Sequence, residues 1–155
     1  MDNSFMARAI QLSLDNVRSG HGGPFGAVVV KHGSIVAEGV NLVTASNDPT
    51  AHAEVVAIRA ACAQLRSFSL KGCEIYASCE PCPMCLGAIY WTHLDCVYFA
   101  NEAADASQIG FDDSFIYQEF GKPIADRVIP MVQIMRAEAL TAFQAWKERP
   151  GKILY

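Results

Sequence analysis

The sequence predicts a three-layer α/β/α sandwich around a central mixed sheet of about five strands. Short apolar runs of strand length alternate with longer segments in which apolar residues recur at helical spacing. Two of the apolar runs meet around His32–Gly33 as a hairpin, which makes the sheet mixed. The length of 155 residues suits one domain, and we therefore expect a single domain over residues 1–155.

The first half of the chain alternates between helices and strands. A helix is predicted from Phe5 to Val17, and the glycines of GHGG end it. The hairpin FGAVVVKHGSIVAEGV comes next, and the polar segment NLVTASNDPT is expected to be a loop. The amphipathic helix AHAEVVAIRAACAQLRS and the short strand CEIYAS complete this half.

The second half continues the alternation. A helix PMCLGAIYWTH, with Pro83 in its first turn, precedes the strand CVYFA. The segment EAADASQIGFDDSFIYQEF is predicted to mix helix and loop. We expect a strand at RVIPMVQIM, where Pro130 indicates an edge or a bulge, and a last helix at ALTAFQAWKE.

Charge and composition weigh against several classes of protein. The net charge is −4, and no cluster of Lys and Arg appears, which disfavours a nucleic-acid partner. No apolar run approaches the roughly 20 residues of a membrane span. The first residues are acidic, and Asp15 and Arg18 interrupt the apolar positions, so no signal peptide is predicted. We therefore expect a cytoplasmic protein with reduced thiols.

Three cysteines in the stretch CEPCPMC permit three interpretations. Cys79, Cys82 and Cys85 form two overlapping C-x-x-C pairs. Such a pair serves redox exchange, or it binds metal. With His52, all three thiols would make a closed structural Cys₃His zinc site, whereas Cys82, Cys85 and His52 alone would leave a coordination position open for water. Only the open site has a use for a nearby carboxylate such as Glu54.

The spacing of these residues favours the open site. Cys82 and Cys85 open one predicted helix at positions i and i+3, so both thiols lie on one face, where the helix N-terminus favours thiolate. His52 and Glu54 open another helix. Inside a helix they would point roughly 200° apart, so they converge only if the metal lies off the helix end. Pro81 stiffens the turn after Cys79, which is consistent with a thiol left at the end of a strand.

The pattern H-x-E…P-C-x-x-C identifies zinc-dependent base deaminases. In that chemistry zinc lowers the pKa of its bound water toward neutrality, and the hydroxide attacks a ring carbon that bears an amino group. A carboxylate beside the metal takes the water's proton and passes it to the ring nitrogen and the departing amine. We expect one Zn²⁺ per chain, with Glu54 as this proton shuttle.

Five segments resemble the bacterial guanine deaminases of the cytidine-deaminase-like superfamily. They are GGPFGAVVV, SNDPTAHAEVVAIR, SCEPCPMCLGAIYW, GFDDSFIY and FQAWKERPGKILY. The first three recur with variations across purine and tRNA deaminases, so they indicate the superfamily. The last two segments narrow the resemblance to the deaminases that act on guanine. The resemblance covers nearly the whole chain. This resemblance implies hydrolytic deamination of guanine at C2, which yields xanthine and ammonia in purine catabolism or salvage.

The resemblance also implies roles for individual residues. It implies a homodimer in which the C-terminal segment, about residues 136–155, can be exchanged between subunits and carry Tyr155 to a partner's site. For Asp113, Asn41, Phe25 and Trp91 a helix cap, a turn and core packing remain alternative explanations. The implied residues are the zinc ligands His52, Cys82 and Cys85, the shuttle Glu54, and the substrate contacts Asn41, Asp113, Phe25, Trp91, Tyr155 and the backbone N–H of Ala53.

Two kinds of rival function stay open at this point. One is a deaminase for another substrate: guanosine, an aminotriazine such as ammeline, cytosine, or adenosine in tRNA. The absence of a basic patch weighs against tRNA, and a ribose would need room that the C-terminal tail could fill. The other is a structural zinc module with no catalytic activity.

Overall fold

A four-stranded mixed sheet organises the part of the chain that ends at Asp113. The structure is a computed structural model that describes residues 3–155. The strands are β1 (Gly26–Lys31), β2 (Ser34–Val40), β3 (Cys73–Cys79) and β4 (Cys96–Asn101), in the spatial order β2-β1-β3-β4. The helices of this part are α1 (Asn3–Ser19), α2 (Val43–Ser46), α3 (Ala53–Leu65), α4 (Pro83–Trp91) and α5 (Ala103–Gln108).

Strand pairing confirms the predicted mixed sheet. β1 pairs antiparallel with β2 and with β3, whereas β3 and β4 run parallel and are joined through α4. The β1–β2 turn is His32–Gly33, and both residues have positive φ, at 50° and 74°. Two-residue hairpin turns favour such angles because their backbone twist matches that of the strands. The hairpin predicted from the sequence is therefore correct.

Both faces of the sheet are covered, which confirms the three layers. On β1, Ala27 and Val29 belong to one apolar cluster together with residues of α3. Val28 and Val30, which alternate with them, belong to a second cluster that includes Ala9 of α1. Alternate side chains of a strand point to opposite faces, so helices pack on each side of β1.

Two predicted elements differ in the structure. The loop predicted over residues 41–50 contains one helical turn, α2. The described residues form four strands instead of about five, because residues 127–135 contain no strand. Pro130 has no N–H to donate to a ladder. The four β-branched residues of this segment are 75–79% exposed: Val128, Ile129, Val132 and Ile134.

Residues from Ser114 to Tyr155 form a second compact unit. It contains α6 (Ser114–Gly121), a 3₁₀ turn (Ile124–Asp126) and α7 (Arg136–Glu148), and none of these elements has a buried residue. Glu119 holds its segments together, because it pairs with Lys122 and accepts a 2.8 Å hydrogen bond from the Val128 N–H. The single-domain expectation stays a prediction. Within residues 3–155 no helix is long and apolar enough to cross a bilayer.

Candidate active site

Two helix starts bring the predicted metal ligands together. His52 directly precedes α3 and Cys82 directly precedes α4, both with extended backbone. Cys85 lies in the first turn of α4, after Pro83 at its first position. The His52 Nδ1 lies 3.5 Å from the Cys82 sulfur and 3.5 Å from the Cys85 sulfur. The three ligand atoms all lie within 4.8 Å of one another.

These distances fit a tetrahedral zinc ion. Zinc binds sulfur at about 2.3 Å and imidazole nitrogen at about 2.0–2.1 Å, so two such ligands at a tetrahedral angle are separated by roughly 3.5 Å. Both sulfur–nitrogen distances have this value. Three protein ligands leave the fourth tetrahedral position open. The donor set thus fits a catalytic zinc ion without rearrangement of the chain.

Cys79 does not belong to this cluster. It is the last residue of β3, and its thiol donates to the backbone carbonyl of Glu102 at 3.7 Å. Burial raises the pKa of the Cys79 thiol to about 11. The structure therefore presents a His/Cys/Cys set and not the closed Cys₃His alternative.

Glu54 lies beside the cluster without joining it. It is the second residue of α3 and is 7% exposed. The Cys85 sulfur lies 3.5 Å from its Oε2. His52 precedes the helix in extended backbone. The separation of roughly 200° between two residues inside a helix therefore does not apply to His52 and Glu54. Both side chains line the same cavity. Burial raises the pKa of the Glu54 carboxyl.

The pKa values of the two cysteine ligands are shifted in opposite directions in the metal-free protein. A hydrogen bond from Cys85 lowers the pKa of Cys82 to about 4, and His52 contributes to this shift. The same hydrogen bond, together with burial, raises the pKa of Cys85, which donates it. The hydrogen bond with Cys82 raises the pKa of His52. Zinc binding needs both thiolates and a neutral imidazole, so it is expected to release protons.

A cavity of about 390 Å³ opens in front of these residues. His52, Glu54 and Cys82 form part of its wall. Its volume lies in the range of small-molecule sites. Three predicted substrate contacts also line it: Phe25, Asn41 and Asp113.

Part of the cavity wall combines amide, carboxylate and aromatic groups. Asn41 is 6% exposed, and its Oδ1 accepts a 3.3 Å hydrogen bond from the Val43 N–H. Phe25 packs edge-to-face against Phe111, with ring centroids 4.9 Å apart and planes at 89°. Burial raises the pKa of the Asp113 carboxyl, and the Cys82 charge adds to this shift.

Three predicted contacts are not among the residues that line the cavity. Trp91 ends α4 and is 65% exposed. Ala53 is buried as the first residue of α3, and its N–H is one of the groups that a helix start leaves without an intrahelical acceptor. Tyr155 belongs to the second unit and is 74% exposed. Their roles stay predictions.

Sequence reasoning missed three residues around the cavity. Phe111 directly precedes the predicted Asp112-Asp113 pair, and an aromatic residue there was a visible signal. Glu80 lines the cavity, and its Oε2 accepts from the Ala103 N–H at 3.1 Å. Asn16 is a polar residue on the buried face of α1, seven positions after Ala9. A polar residue on the apolar face of a predicted helix was the signal that could have identified Asn16.

Comparisons with known proteins agree with this geometry. Residues 1–101 match the family model described as the cytidine and deoxycytidylate deaminase zinc-binding region. The guanine deaminase of Bacillus subtilis (strain 168) is 55% identical over 152 residues, 98% of this chain and 97% of that protein. An X-ray structure of guanine deaminase from Bacillus subtilis matches with a TM-score of 0.97 and 54% identity, covering 100% of this chain and 99% of the other. The tRNA-specific adenosine deaminase of Aquifex aeolicus is 44% identical over 77 residues, 50% of this chain and 51% of that protein.

Proposed function

Because the chain belongs to the cytidine and deoxycytidylate deaminase zinc-binding family, we infer that it is a zinc-dependent guanine deaminase. The reaction adds water to C2 of guanine and breaks the bond to the 2-amino group, which leaves as ammonia and yields xanthine. One observation carries the choice of substrate. Similarity to a guanine deaminase extends over 98% of the chain at 55% identity, whereas similarity to two tRNA-specific adenosine deaminases covers 50% and 72% of it at 44% and 34% identity.

The metal side of the cavity supplies the nucleophile and moves the proton. Zinc, held by His52, Cys82 and Cys85, supplies a Lewis acid that makes water nucleophilic near neutral pH. Glu54 is the proton shuttle in this proposal. Its carboxylate lies against the ligand cluster and faces the cavity, so it can take a proton from the attacking water and return it to N3 and the leaving amine. Its raised pKa suits a group that must both accept and donate a proton.

Other residues of the cavity wall hold the base in this proposal. Guanine presents donors at N1–H and at the 2-amino group, and the Asp113 carboxylate is an acceptor for them. The Asn41 amide can bond a ring acceptor or the carbonyl, and the Phe25–Phe111 pair provides an aromatic wall for the flat rings. Polar groups buried to satisfy such donors and acceptors disfavour analogues that lack them.

A substrate panel tests the proposed function. Ammonia release is measured with the zinc-loaded protein on guanine, guanosine, ammeline and cytosine, and on a tRNA anticodon stem-loop that contains adenosine. We expect guanine to have the highest kcat/KM. Turnover of any other member of the panel with guanine inert would refute the assignment, and no ammonia from any of them would favour the structural zinc module.

We also propose a homodimer in which the C-terminal segment is exchanged between subunits. Support comes from the second unit, where six apolar side chains are each at least 75% exposed: Val128, Ile129, Val132, Ile134, Phe143 and Leu154. An apolar surface of this kind indicates a protein partner. A cytoplasmic location stays a prediction. Deletion of Ile153–Tyr155 should lower guanine turnover while the dimer, measured by light scattering, persists. Unchanged turnover would mean that Tyr155 does not complete the site.

A further inference from the structure

A buried amide on α1 holds two backbone segments of the cavity wall. Asn16 is 4% exposed. Its Nδ2 donates to the carbonyl of Gly23 at 2.8 Å and to the carbonyl of Asn41 at 2.9 Å. An amide nitrogen has two hydrogens, so each acceptor receives one and the donor capacity is fully used. Buried polar groups of this kind are costly to leave without a partner.

Both acceptors belong to residues that line the cavity. Asn41 is fixed on each side of its backbone, because its N–H donates to the Phe25 carbonyl at 3.1 Å and its carbonyl accepts from Asn16. Its side-chain Oδ1 accepts from Val43. These three bonds determine where the remaining part of the Asn41 amide lies relative to the cavity.

The segment around these carbonyls has little space in which to shift. A Cβ at Gly22 would lie 2.1 Å from the Asn41 carbonyl oxygen, so the two backbones are in direct contact there. A Cβ at Gly23 would lie 3.2 Å from Phe111 and 3.3 Å from Phe25, the two rings of the aromatic wall. A displacement of either carbonyl therefore reaches the groups that face the base.

We propose that Asn16 is a positioning residue that sets the affinity of the cavity for its base, acting through Asn41 and Gly23. This inference rests on the proposed function, in which Asn41 holds the base. Asn16 does not line the cavity, and its side-chain hydrogen bonds reach neither α3 nor α4, which carry the metal ligands. Its loss should therefore weaken substrate binding and leave the metal side intact.

The test compares Asn16→Asp and Asn16→Ala with the wild-type protein. Aspartate has nearly the same shape but, when ionised, donates no hydrogen bond and faces two carbonyl oxygens. Alanine removes the donors without this repulsion. We expect KM for guanine to rise about tenfold or more in Asn16→Asp and by a smaller factor in Asn16→Ala. We expect kcat to stay within about threefold and zinc to stay at one per chain.

A control variant separates positioning from stability. Met6→Ala removes packing from the same helix against the cluster of Val28, Val30 and Tyr76, away from Gly23 and Asn41. It should lower the melting temperature while KM stays within about twofold of wild type. An unchanged KM in both Asn16 variants would overturn the proposal, as would a KM increase in Met6→Ala of the same size.

Wild-type kinetics distinguish failure of the inference from failure of the proposed function. If wild-type protein deaminates guanine and the Asn16 variants keep its KM, only the positioning role is wrong. If the substrate panel selects another base, the same comparison is made with that base. The expected result is the same: KM rises in the Asn16 variants and stays near the wild-type value in Met6→Ala. Zinc loss in the Asn16 variants would also refute the proposal, because it would mean that Asn16 supports the metal ligands and not only the residues that hold the base.

Discussion

The two sides of the cavity are built in different ways. The metal side consists of the starts of two helices, α3 and α4. Each start supplies one short sequence motif, H-x-E or C-x-x-C. The base side joins residues that are far apart in sequence, such as Asn41 after β2 and Phe111 before α6. Its backbone is anchored from a third element, α1, by Asn16.

This difference assigns separate tasks to the two sides. In the proposed function, groups on the metal side touch the reacting atoms, so their loss should appear in kcat. In the proposed function, groups on the base side hold guanine in the cavity, so their loss should appear mainly in KM. Substitutions on each side either separate the effects on kcat and KM or show that this division is wrong.

The largest effect is expected from a zinc ligand. In Cys82→Ser, zinc content should fall well below one per chain and guanine turnover should fall to background, because a serine hydroxyl replaces a thiolate. Cys79→Ser is the matched control in the same motif, and it should keep one zinc per chain and most of the activity. Metal analysis by mass spectrometry measures the zinc content of both variants. Zinc loss in Cys79→Ser would show that the site is closed.

An intermediate effect is expected on the base side. Asp113→Asn removes the charged acceptor, and KM for guanine should rise about ten- to hundredfold, the range for a lost hydrogen bond to a charged group. Zinc content should not change. Asp112→Asn removes the neighbouring carboxylate and should have a smaller effect in the same steady-state assay. Equal KM increases in both variants would contradict the assignment to Asp113.

The smallest effect is expected from an ion pair that lines neither side. Arg8 of α1 makes two 2.7 Å hydrogen bonds to the Glu38 carboxylate of β2, and both side chains are partly exposed. Arg8→Gln should cost less than about 1 kcal/mol of unfolding free energy, because solvent screens the pair. It should change neither kcat nor KM.

The stability effect of this ion pair should depend on pH. The hydrogen bonds from Arg8 lower the pKa of Glu38 below its ordinary value of 4.5. The difference in stability between wild type and Arg8→Gln should be fully present above that ordinary value and disappear as pH falls through the lower folded value. Thermal denaturation between pH 7 and pH 3 measures it. A difference that persists at the lowest pH would mean that Arg8 stabilises the protein by packing alone.

The sequence was sufficient to predict the metal side because that side consists of two short motifs, although His52 and Cys82 are 30 positions apart. The spacing of His52 and Glu54, and of Cys82 and Cys85, together with two helix starts, predicted the cluster that the structure contains. The strand and helix patterns around it were equally readable, because each element buries a periodic apolar face. Cys79 was separable from the other thiols because it lies at the end of a strand.

The base side could be predicted only in part, since its contacts are long-range. Asn41, Asp113 and Phe25 came from resemblance to a family and not from spacing. Asn16 reaches Asn41 across 25 positions of sequence, and no local pattern encodes such a contact. The missing fifth strand has a similar cause, because β propensity at residues 127–135 does not specify a partner strand.

The most direct test of Glu54 as the proton shuttle is the kcat of Glu54→Gln on guanine, with zinc content determined on the same sample. Glutamine keeps the shape of the side chain but cannot carry the proton, so we predict one zinc per chain and a kcat lower by at least about 10²-fold. Glu80→Gln is the control, since it alters another carboxylate of the cavity and retains an acceptor for the Ala103 N–H. A kcat of Glu54→Gln equal to wild type, with zinc bound, would contradict the proposed mechanism.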